Sequence, residues 1–509
     1  MTFLEDRDLE DVPSIPEYYK GKTVFITGGS GFMGKVLVEK LLYSCTDLDR
    51  IYLLVRPKRG VTPENRLAEI FASRCFDRLR EERPGVFESK VFFIAGDCSE
   101  VALGLSEEDR ALLLNRTNII YHVAASVRFD DPLKKAVKLN LRGTVEMIEL
   151  AKEVQNLESF IHVSTTYSNT NRNPIEEILY PPLADWRETL EICENIEEQT
   201  LNSLTPKFLG EMANTYVLCK QLAEHVVYEQ RGKLPVVIIR PSIVLASVKE
   251  PAPGWIENFN GPVGLIVASG KGILRTLYAD PLVSGDYIPV DVAIKGFIAA
   301  SWTRGTKKLE PSDDTPIYNV CNGQMGYHVT AEEILSIGHK ITDEVPLDNV
   351  VWTAGGAITD NKYLYYVYVI MLQLLPAILI DTLLWLLGKK TMLVKIQRRV
   401  YVANLAIAYF LTHTWTFSNE NFMSLRSKIL DKDKLHFYYI MENIDMYEYL
   451  KTGIMGGRRY LLNEKDENLP KARAHYKRMA ILDTLVKCLF YGYIVWRIIN
   501  SSLVCNLFG

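Results

Sequence analysis

Apolar residues fall into two kinds of run along the first half of the chain. Six short, almost continuously apolar runs are separated by stretches whose apolar residues recur at helical spacing. The short runs are TVFIT, IYLLV, VFFIAGD, NIIYHVAA, SFIHVSTT and PVVIIRPSIV, between residues 23 and 245. Strands that are apolar throughout predict a parallel sheet covered on both faces by helices. We therefore expect a doubly wound α/β fold, which binds its ligand at the carboxyl ends of the strands.

The second half of the chain has a different pattern. Residues 246–350 mix loop-forming stretches with DYIPVDVAIKGFIAAS, a predicted strand that runs into a helix. Residues 364–388 are almost wholly apolar, and a second apolar run closes the sequence. We predict an acidic N-terminal extension (1–20), an α/β domain (21–350) with a substrate lobe (246–350), a largely helical, apolar C-terminal domain (355–465) and an apolar tail (480–509).

Composition excludes several classes of protein. The net charge of −4 gives no reason to expect nucleic acid as a partner, because no extended basic face precedes residue 389. The eight cysteines show no CxxC or Cys/His metal spacing, so we expect reduced thiols, a cytosolic environment and no metal site. The N-terminal segment is acidic and has no apolar core, unlike a secretory signal.

The stretch FITGGSGFMGKVL is the first candidate binding site. Gly28, Gly31 and Gly34 lie between a predicted strand and a predicted helix, and they are interleaved with Ser30, Phe32 and Met33. Without β-carbons the turn closes tightly and a pyrophosphate can approach the first N–H groups of the helix. An ordinary glycine-rich turn is the alternative, so this motif needs support from the rest of the chain.

Candidate catalytic residues follow at a strand end and on a helix. Tyr216 and Lys220 are four residues apart and share one helical face, where the ammonium is expected to lower the pKa of the phenol. Thr165 ends the strand run SFIHVSTT, where its hydroxyl can bind a reacting carbonyl oxygen, and Ser164 is a less favoured substitute.

The order of glycine turn, strand-end hydroxyl and Tyr-x-x-x-Lys resembles the extended short-chain dehydrogenase/reductase superfamily. The resemblance implies that Tyr216 passes a proton, Lys220 holds the nicotinamide ribose and tunes the tyrosine, and Thr165 positions the carbonyl. It also implies a structural role for Asn140. Further residues implied to contact the cofactor are Asp97, Cys98, Ala124, Ala125, Ser126, Pro241 and Ser242.

Charge at the end of the second predicted strand indicates which nicotinamide cofactor is used. IYLLV leads into Arg56, Lys58 and Arg59 with no acidic residue. An acid at this position usually binds the ribose of NAD, whereas an arginine suits a 2′-phosphate. We therefore expect NADPH, with Arg56 and Arg59 near the phosphate.

Within the superfamily, TGGSGFMGKVLVEKLL, HVAASVRFD, VSTTYSN and, beyond the α/β region, HTWTFSNEN and YEYLKTGIMGGRRYLLNE resemble the alcohol-forming fatty acyl-CoA reductases. This resemblance implies reduction of a long-chain acyl-CoA to a primary alcohol through an aldehyde, for wax or ether-lipid metabolism. A membrane-associated hydroxysteroid dehydrogenase and a non-catalytic, NADPH-sensing membrane scaffold are the alternatives. The oligomeric state is not indicated.

Two segments suggest a membrane. Residues 364–388 are long enough to cross a bilayer but contain Gln373, Pro376 and Asp381, so a buried core helix is equally open. Basic residues between 389 and 399 suit anionic headgroups. Residues from 480 are predicted to anchor the protein, with the catalytic domain in the cytosol, on the peroxisomal or endoplasmic reticulum membrane.

Overall fold

The computed structural model divides the chain into two compact units. It describes residues 12–58, 60–306, 309, 314–323, 329–440, 442 and 444–500. Unit 1 comprises Met1–Glu257, Ser284–His328 and Thr414–Asp445, and unit 2 comprises Asn258–Val283, Val329–His413 and Met446–Gly509. Each unit collects segments that are distant in sequence, and the segment predicted as a substrate lobe contributes to both.

A parallel sheet forms the centre of unit 1. The strands of the described chain are β1 Thr23–Thr27, β2 Arg50–Val55, β3 Val91–Ala95, β4 Ile119–His122, β5 Ser159–Val163, β6 Val236–Pro241, β7 Ile243–Leu245, β8 Thr276–Tyr278, β9 Tyr287–Pro289, β10 Ile317–Val320 and β11 Ala357–Thr359. Among the described residues, seven of them form one parallel sheet in the order β10-β6-β5-β4-β1-β2-β3. The predicted doubly wound sheet is confirmed.

Helices fill the connections between strands and most of unit 2. They are α1 Ile15–Tyr19, α2 Phe32–Ser44, α3 Pro63–Phe71, α4 Asp77–Glu82, α5 Val86–Lys90, α6 Glu107–Arg116, α7 Leu133–Ala136, α8 Gly143–Glu153, α9 Trp186–Asn195, α10 Glu198–Leu209, α11 Thr215–Tyr228, α12 Pro262–Gly270, α13 Val290–Gly305, α14 Ala331–Glu344, α15 Lys362–Tyr368, α16 Leu375–Leu386, α17 Leu393–Leu411, α18 Glu420–Lys428, α19 Lys434–Phe437, α20 Met446–Gly456 and α21 Leu469–Ile499.

The core of unit 1 lies on both sides of the sheet. Every residue of β1, β4, β5 and β6 is buried, which requires cover on both faces because successive side chains point in opposite directions. The helix pairs α2 with α13 and α8 with α11 supply this cover. The strand β3, at one edge, is only partly buried. The carboxyl ends of the strands therefore lie together above a rigid core.

Unit 2 is largely helical, as predicted for the C-terminal region. Its apolar clusters centre on Leu265 with Leu274, and on Leu347 with Tyr476. The helical segments Lys362–Leu386 and Asp466–Ile499 are long and apolar enough to cross a membrane.

Candidate active site

The glycine turn between β1 and α2 is built by close backbone approach. Gly28 has a φ of +74°, and a Cβ there would lie 2.7 Å from the backbone nitrogen of Ala124. A Cβ at Gly34 would lie 2.1 Å from the carbonyl oxygen of Gly28. Gly31 precedes α2 and supplies no side-chain cap, so the first N–H groups of the helix have no capping side chain. Together with the exposed Ser30, this turn fits a pyrophosphate.

Phe32 and Met33 follow in the first turn of α2. The Phe32 ring stacks on the buried Trp255 with 5.0 Å between ring centroids. Its aromatic face is therefore committed to the protein core. The backbone N–H of Phe32, in the first turn of the helix, can still contact a cofactor.

A buried hydroxyl at the end of β6 also fits a ligand. Ser242 follows Pro241, and its backbone nitrogen donates to the carbonyl oxygen of Val320 at 3.0 Å. Its side-chain oxygen is buried and has no hydrogen-bond partner among the described residues. Buried polar atoms usually have a partner, so this hydroxyl, at a strand end, is available to a bound molecule.

The loop after β4 is held by its own side chains. The Ser126 nitrogen donates to Asn140 Oδ1 at 2.8 Å, and Asn140 Nδ2 donates back to the Ser126 carbonyl at 3.0 Å. Ser126 Oγ donates to Asp131 at 2.5 Å. Asn140 thus has the structural geometry that the resemblance implies. Ala124 and Ala125 are half-buried, and their small side chains leave the loop before Ser126 open to the approach of a ligand.

The predicted catalytic residues meet at the carboxyl end of β5. Asn214 caps α11 by accepting the N–H three residues on, and this places Tyr216 and Lys220 in the first turns of that helix. The side chains of Tyr216 and Thr165 interact, and this interaction lowers the pKa of the phenol. Lys220 Nζ donates to the carbonyl oxygen of Val163 at 2.7 Å. The structure therefore brings Thr165, Tyr216 and Lys220 together around one strand end.

Burial sets the protonation of this group. Burial raises the pKa of Tyr216, while the interaction with Thr165 opposes that rise. Burial lowers the pKa of Lys220 to about 8, and Glu224 opposes that change. The expectation that Lys220 lowers the pKa of Tyr216 is therefore wrong for this state, because desolvation dominates. The phenol holds a proton to donate, and the ammonium still predominates at neutral pH.

The Ser164 hydroxyl is hydrogen-bonded to a buried ion pair that the sequence analysis did not predict. Its hydroxyl donates to Glu224 Oε1 at 2.5 Å. Glu224 also accepts two hydrogen bonds from Arg240, at 2.9 and 2.7 Å, and both side chains are buried. This contact favours Thr165 over Ser164 as the hydroxyl that faces a substrate. The sequence did contain an indication of this ion pair, because Glu224 and Arg240 are charged residues within the apolar runs of α11 and β6.

Phe129 is another site residue that the sequence interpretation missed. Its ring lies 5.6 Å from the ring of Tyr216. The same loop is tied to α11 by Thr215, whose hydroxyl donates to the Asp131 carbonyl at 2.9 Å. The loop after β4 therefore packs against Tyr216 from one side. The aromatic residue in HVAASVRFD was the feature of the sequence that could have indicated this contact.

At the other end of the site, Arg56 follows β2 and Asp97 follows β3. Arg56 Nε lies 4.0 Å from Asp97 Oδ2, and the arginine side chain is 73% exposed. An acid thus does lie near the end of β2, although it comes from the neighbouring strand. Burial raises the pKa of the adjacent Cys98 thiol to about 12. Arg59 lies outside the described residues.

Comparisons with known proteins identify the fold and the family. Two family profiles, both described as male sterility protein, match residues 26–297, as an NAD-binding domain, and residues 372–464. Two solved structures share the fold. They are a terminal R domain from the myxalamid biosynthetic pathway (TM-score 0.56, 19% identity, 90% of this chain and 95% of that one) and a reductase domain of a nonribosomal peptide synthetase from Mycobacterium tuberculosis (TM-score 0.55, 18% identity, 90% and 96%). The fold, the glycine turn and the NAD-binding profile define a Rossmann-type protein with a site for a nicotinamide cofactor.

Relatives that match almost the whole chain show which family within this class the protein belongs to. Fatty acyl-CoA reductase 1 of Gallus gallus is 39% identical over 97% of this chain and 95% of its own, and its Mus musculus counterpart is 38% identical over the same shares. Fatty acyl-CoA reductase wat of Drosophila melanogaster is 33% identical over 98% and 96%. The chain belongs to the fatty acyl-CoA reductase family.

Proposed function

We propose that this protein reduces a long-chain fatty acyl-CoA to a primary alcohol and coenzyme A through an aldehyde, with NADPH as reductant. Family membership supports the substrate class. The observation that carries the chemistry is the grouping of Tyr216 and Thr165 at the end of β5, where their side chains interact, next to the buried Lys220. These three residues are the proposed catalytic set.

The proposed mechanism uses the same groups twice. When bound, the nicotinamide cofactor supplies a hydride to the carbonyl carbon. Tyr216 and Thr165 stabilise the oxyanion that develops on the thioester carbonyl, which then collapses to the aldehyde and releases coenzyme A. In the second reduction Tyr216 gives its proton to the alkoxide and forms the alcohol. Both steps need the same donor at the same oxygen, so one site serves both.

Lys220 is proposed to hold the nicotinamide ribose and to support Tyr216. An ammonium has three N–H donors, and the described residues accept one of them, through Val163. The other donors are free to bind ribose hydroxyls. Gly28, Ser30, Gly31, Met33, Gly34, Ala124, Ala125, Pro241 and Ser242 are proposed to line the cofactor, with Phe32 and Ser126 contributing backbone.

Product analysis tests this proposal. Membranes that contain the full chain are given NADPH and a panel of acyl-CoAs, and alcohols, aldehydes and free coenzyme A are measured by mass spectrometry. We expect one alcohol and one coenzyme A for every two NADPH consumed. Absence of alcohol with every chain length, together with reduction of a ketosteroid, would favour a hydroxysteroid dehydrogenase instead.

A pair of neighbouring hydroxyl variants tests the choice of Thr165. Thr165→Ala removes a donor to the oxyanion, and we expect kcat to fall by about 10²- to 10³-fold. Ser164→Ala is the control, because it leaves Glu224 bonded to Arg240 and costs about 1 kcal/mol of stability with little change in kcat. Steady-state kinetics and thermal denaturation separate the two effects. A larger kinetic loss in Ser164→Ala would reverse the assignment.

Cofactor choice is tested at Arg56. A charge-assisted contact with the 2′-phosphate is worth about 1.5 to 3 kcal/mol, so we expect NADPH to be preferred by roughly ten- to hundred-fold. Arg56→Ala should lower kcat/KM for NADPH and leave NADH unchanged. Asp97→Asn removes the carboxylate near the guanidinium and should not weaken the preference. Equal kcat/KM values for the two cofactors in the unaltered enzyme would contradict the proposal.

The proposed location is the cytosolic face of the peroxisomal or endoplasmic reticulum membrane. The exposed apolar side chains at the end of α21 support it. The alcohol would then leave the active site close to a membrane, where enzymes of wax or ether-lipid synthesis can take it up.

A further inference from the structure

Residues 362–411 form a helical hairpin in unit 2 that turns apolar side chains outwards. The helices α15 and α16 run on through a turn of π-helix, Val369–Leu374, and α17 returns beside α16. Large apolar side chains are exposed along the first arm, among them Leu364, Ile370, Leu375, Leu379, Leu383 and Leu386. An exposed apolar patch of this extent marks an interaction surface.

The polar residues of the hairpin point the other way. Gln373 and Asp381 are both buried. Gln373 Oε1 accepts the backbone N–H of Arg275 at 3.1 Å. The Asp381 carboxylate accepts three N–H groups at the start of α17, from Met392 at 3.1 Å, Leu393 at 3.1 Å and Val394 at 3.0 Å. The residues that interrupt the apolar run thus bind within unit 2 and leave an uninterrupted apolar face outside.

The first arm is held by its neighbours in unit 2: Gln373 binds Arg275, and Asp381 binds α17, whose Gln397 Nε2 donates to the Ile273 carbonyl at 2.9 Å. Near its beginning, the buried Tyr365 lies 5.4 Å from the ring of Tyr278 in β8. Gln373 lies in the middle and Asp381 near the end, so the attached stretch is about 24 Å long at 1.5 Å per residue. Such a helix cannot cross a bilayer without drawing polar protein surface into the hydrocarbon. It can lie along a membrane surface.

The charge of the hairpin indicates the kind of surface. Residues 362–411 contain six Lys or Arg and a single acid, Asp381, although the whole chain carries −4. Lys389, Lys390, Arg398 and Arg399 are exposed, and none forms a salt bridge with a described residue. The exposed Trp385 lies at the same end. An apolar face with basic residues and tryptophan beside it is typical of helices that lie in an anionic membrane interface.

We infer that residues 362–411 are an in-plane membrane-binding element, which embeds its apolar face in an anionic phospholipid surface. A second copy of this hairpin would cover the apolar residues but would bring the same cations face to face. The anionic headgroups match both features. This element is separate from the tail, and its membrane contact does not depend on the catalytic proposal.

Depth-dependent fluorescence quenching tests the inference in the full chain. Cys488→Ser and Cys505→Ser leave only buried or half-buried native cysteines among the described residues. Leu364→Cys, Leu375→Cys and Leu386→Cys then carry an environment-sensitive dye one at a time, and the exposed Leu204→Cys in α10 is the matched control. The protein is reconstituted in phosphatidylcholine vesicles with or without phosphatidylserine. Nitroxide lipids quench at shallow or deep acyl positions, and circular dichroism checks folding.

We expect the shallow nitroxide to quench all three hairpin dyes several-fold more than the deep one, and to leave the control unquenched. Phosphatidylserine should increase this quenching. Changing Lys389, Lys390, Arg398 and Arg399 to glutamine should weaken insertion by about 1,000-fold. Deep quenching at position 375 would overturn the inference in favour of a spanning helix. Absence of quenching, or quenching that is independent of phosphatidylserine, would overturn it as well.

Discussion

Replacing Tyr216 with phenylalanine is expected to reduce the rate of acyl thioester reduction by about 10²-fold or more. The substitution keeps the ring in its contact with Phe129 and removes the proton that the structure holds next to Thr165. Because burial raises the pKa of this phenol, it is protonated at neutral pH and carries the proton that the proposal assigns to it. Single-turnover kinetics with NADPH and an acyl-CoA measure the change.

Tyr167→Phe is the matched control for this prediction. Tyr167 lies two residues from Thr165 and is 8% exposed, compared with 9% for Tyr216. A loss of packing or of a buried hydroxyl would therefore affect both variants to a similar extent, whereas a loss of proton transfer affects only Tyr216→Phe. If the two variants lose rate equally, or if Tyr216→Phe keeps the rate of the unaltered enzyme, the assignment of Tyr216 is wrong.

Replacing Lys220 tests its two proposed roles, which are to bind the nicotinamide ribose and to support Tyr216. Lys220→Met removes the ammonium and keeps much of the buried aliphatic length. We expect weaker cofactor binding together with slower turnover, because the same group is proposed to bind ribose and to support Tyr216. Tyr216→Phe should leave cofactor affinity nearly unchanged. Cofactor titration by fluorescence, without any acyl substrate, measures this difference.

The sheet was predictable because its signal is local and repeated. Strands buried on both faces are apolar at nearly every position, and β1, β4, β5 and β6 all show this pattern. The strand β10 was missed because Asn319 interrupts a short run. Its side chain is buried and donates to the Ile175 and Ser418 carbonyls, partners that are 144 and 99 residues away. A polar residue satisfied by such distant groups cannot be recognised as part of a strand from local pattern.

The candidate site, like β10, was only partly predictable from the local sequence pattern. Spacing placed Tyr216 and Lys220 on one face, but it could not distinguish Thr165 from Ser164. That choice depends on Arg240, which lies on another strand and binds Glu224, the acceptor of the Ser164 hydroxyl. The pKa of Tyr216 was also misjudged, because burial is a property of the assembled core and not of the Tyr-x-x-x-Lys motif.

The apolar segments Lys362–Leu386 and Asp466–Ile499 cannot be distinguished by composition, but they differ in their contacts with the rest of unit 2. Hydropathy marks both as candidate spans. The first is bound to neighbouring elements of unit 2 through Gln373, which accepts from Arg275, and through Asp381, which accepts from the start of α17. Among the described residues, the second, α21, contacts the rest of unit 2 through its first half, where Tyr476 is buried and Trp352 donates to Asp483 Oδ1 at 2.5 Å. The two candidate spans thus share a composition and differ in their contacts with the rest of unit 2.

Removing residues 488–509 is expected to abolish carbonate-resistant membrane association and to leave acyl-CoA reduction intact in detergent. The shortened chain keeps Asp483 and its contacts with Trp352 and Lys487. Beyond that point the described side chains of α21 are exposed, including Leu489 at 74% and Trp496 at 57%. An apolar helix without protein contacts is stable in lipid and not in water.

A second truncation, after Met479, is the control for folding. It also deletes Asp483, which leaves the indole N–H of Trp352 without its acceptor, so we expect a lower melting temperature than for the chain ending at Lys487. Carbonate extraction at high pH removes proteins that are held only at the membrane surface, so the hairpin alone should not protect the shortened chain. If the chain ending at Lys487 still resists extraction, the first apolar segment spans the bilayer. If it aggregates without activity, the end of α21 belongs to the fold and the anchor assignment fails.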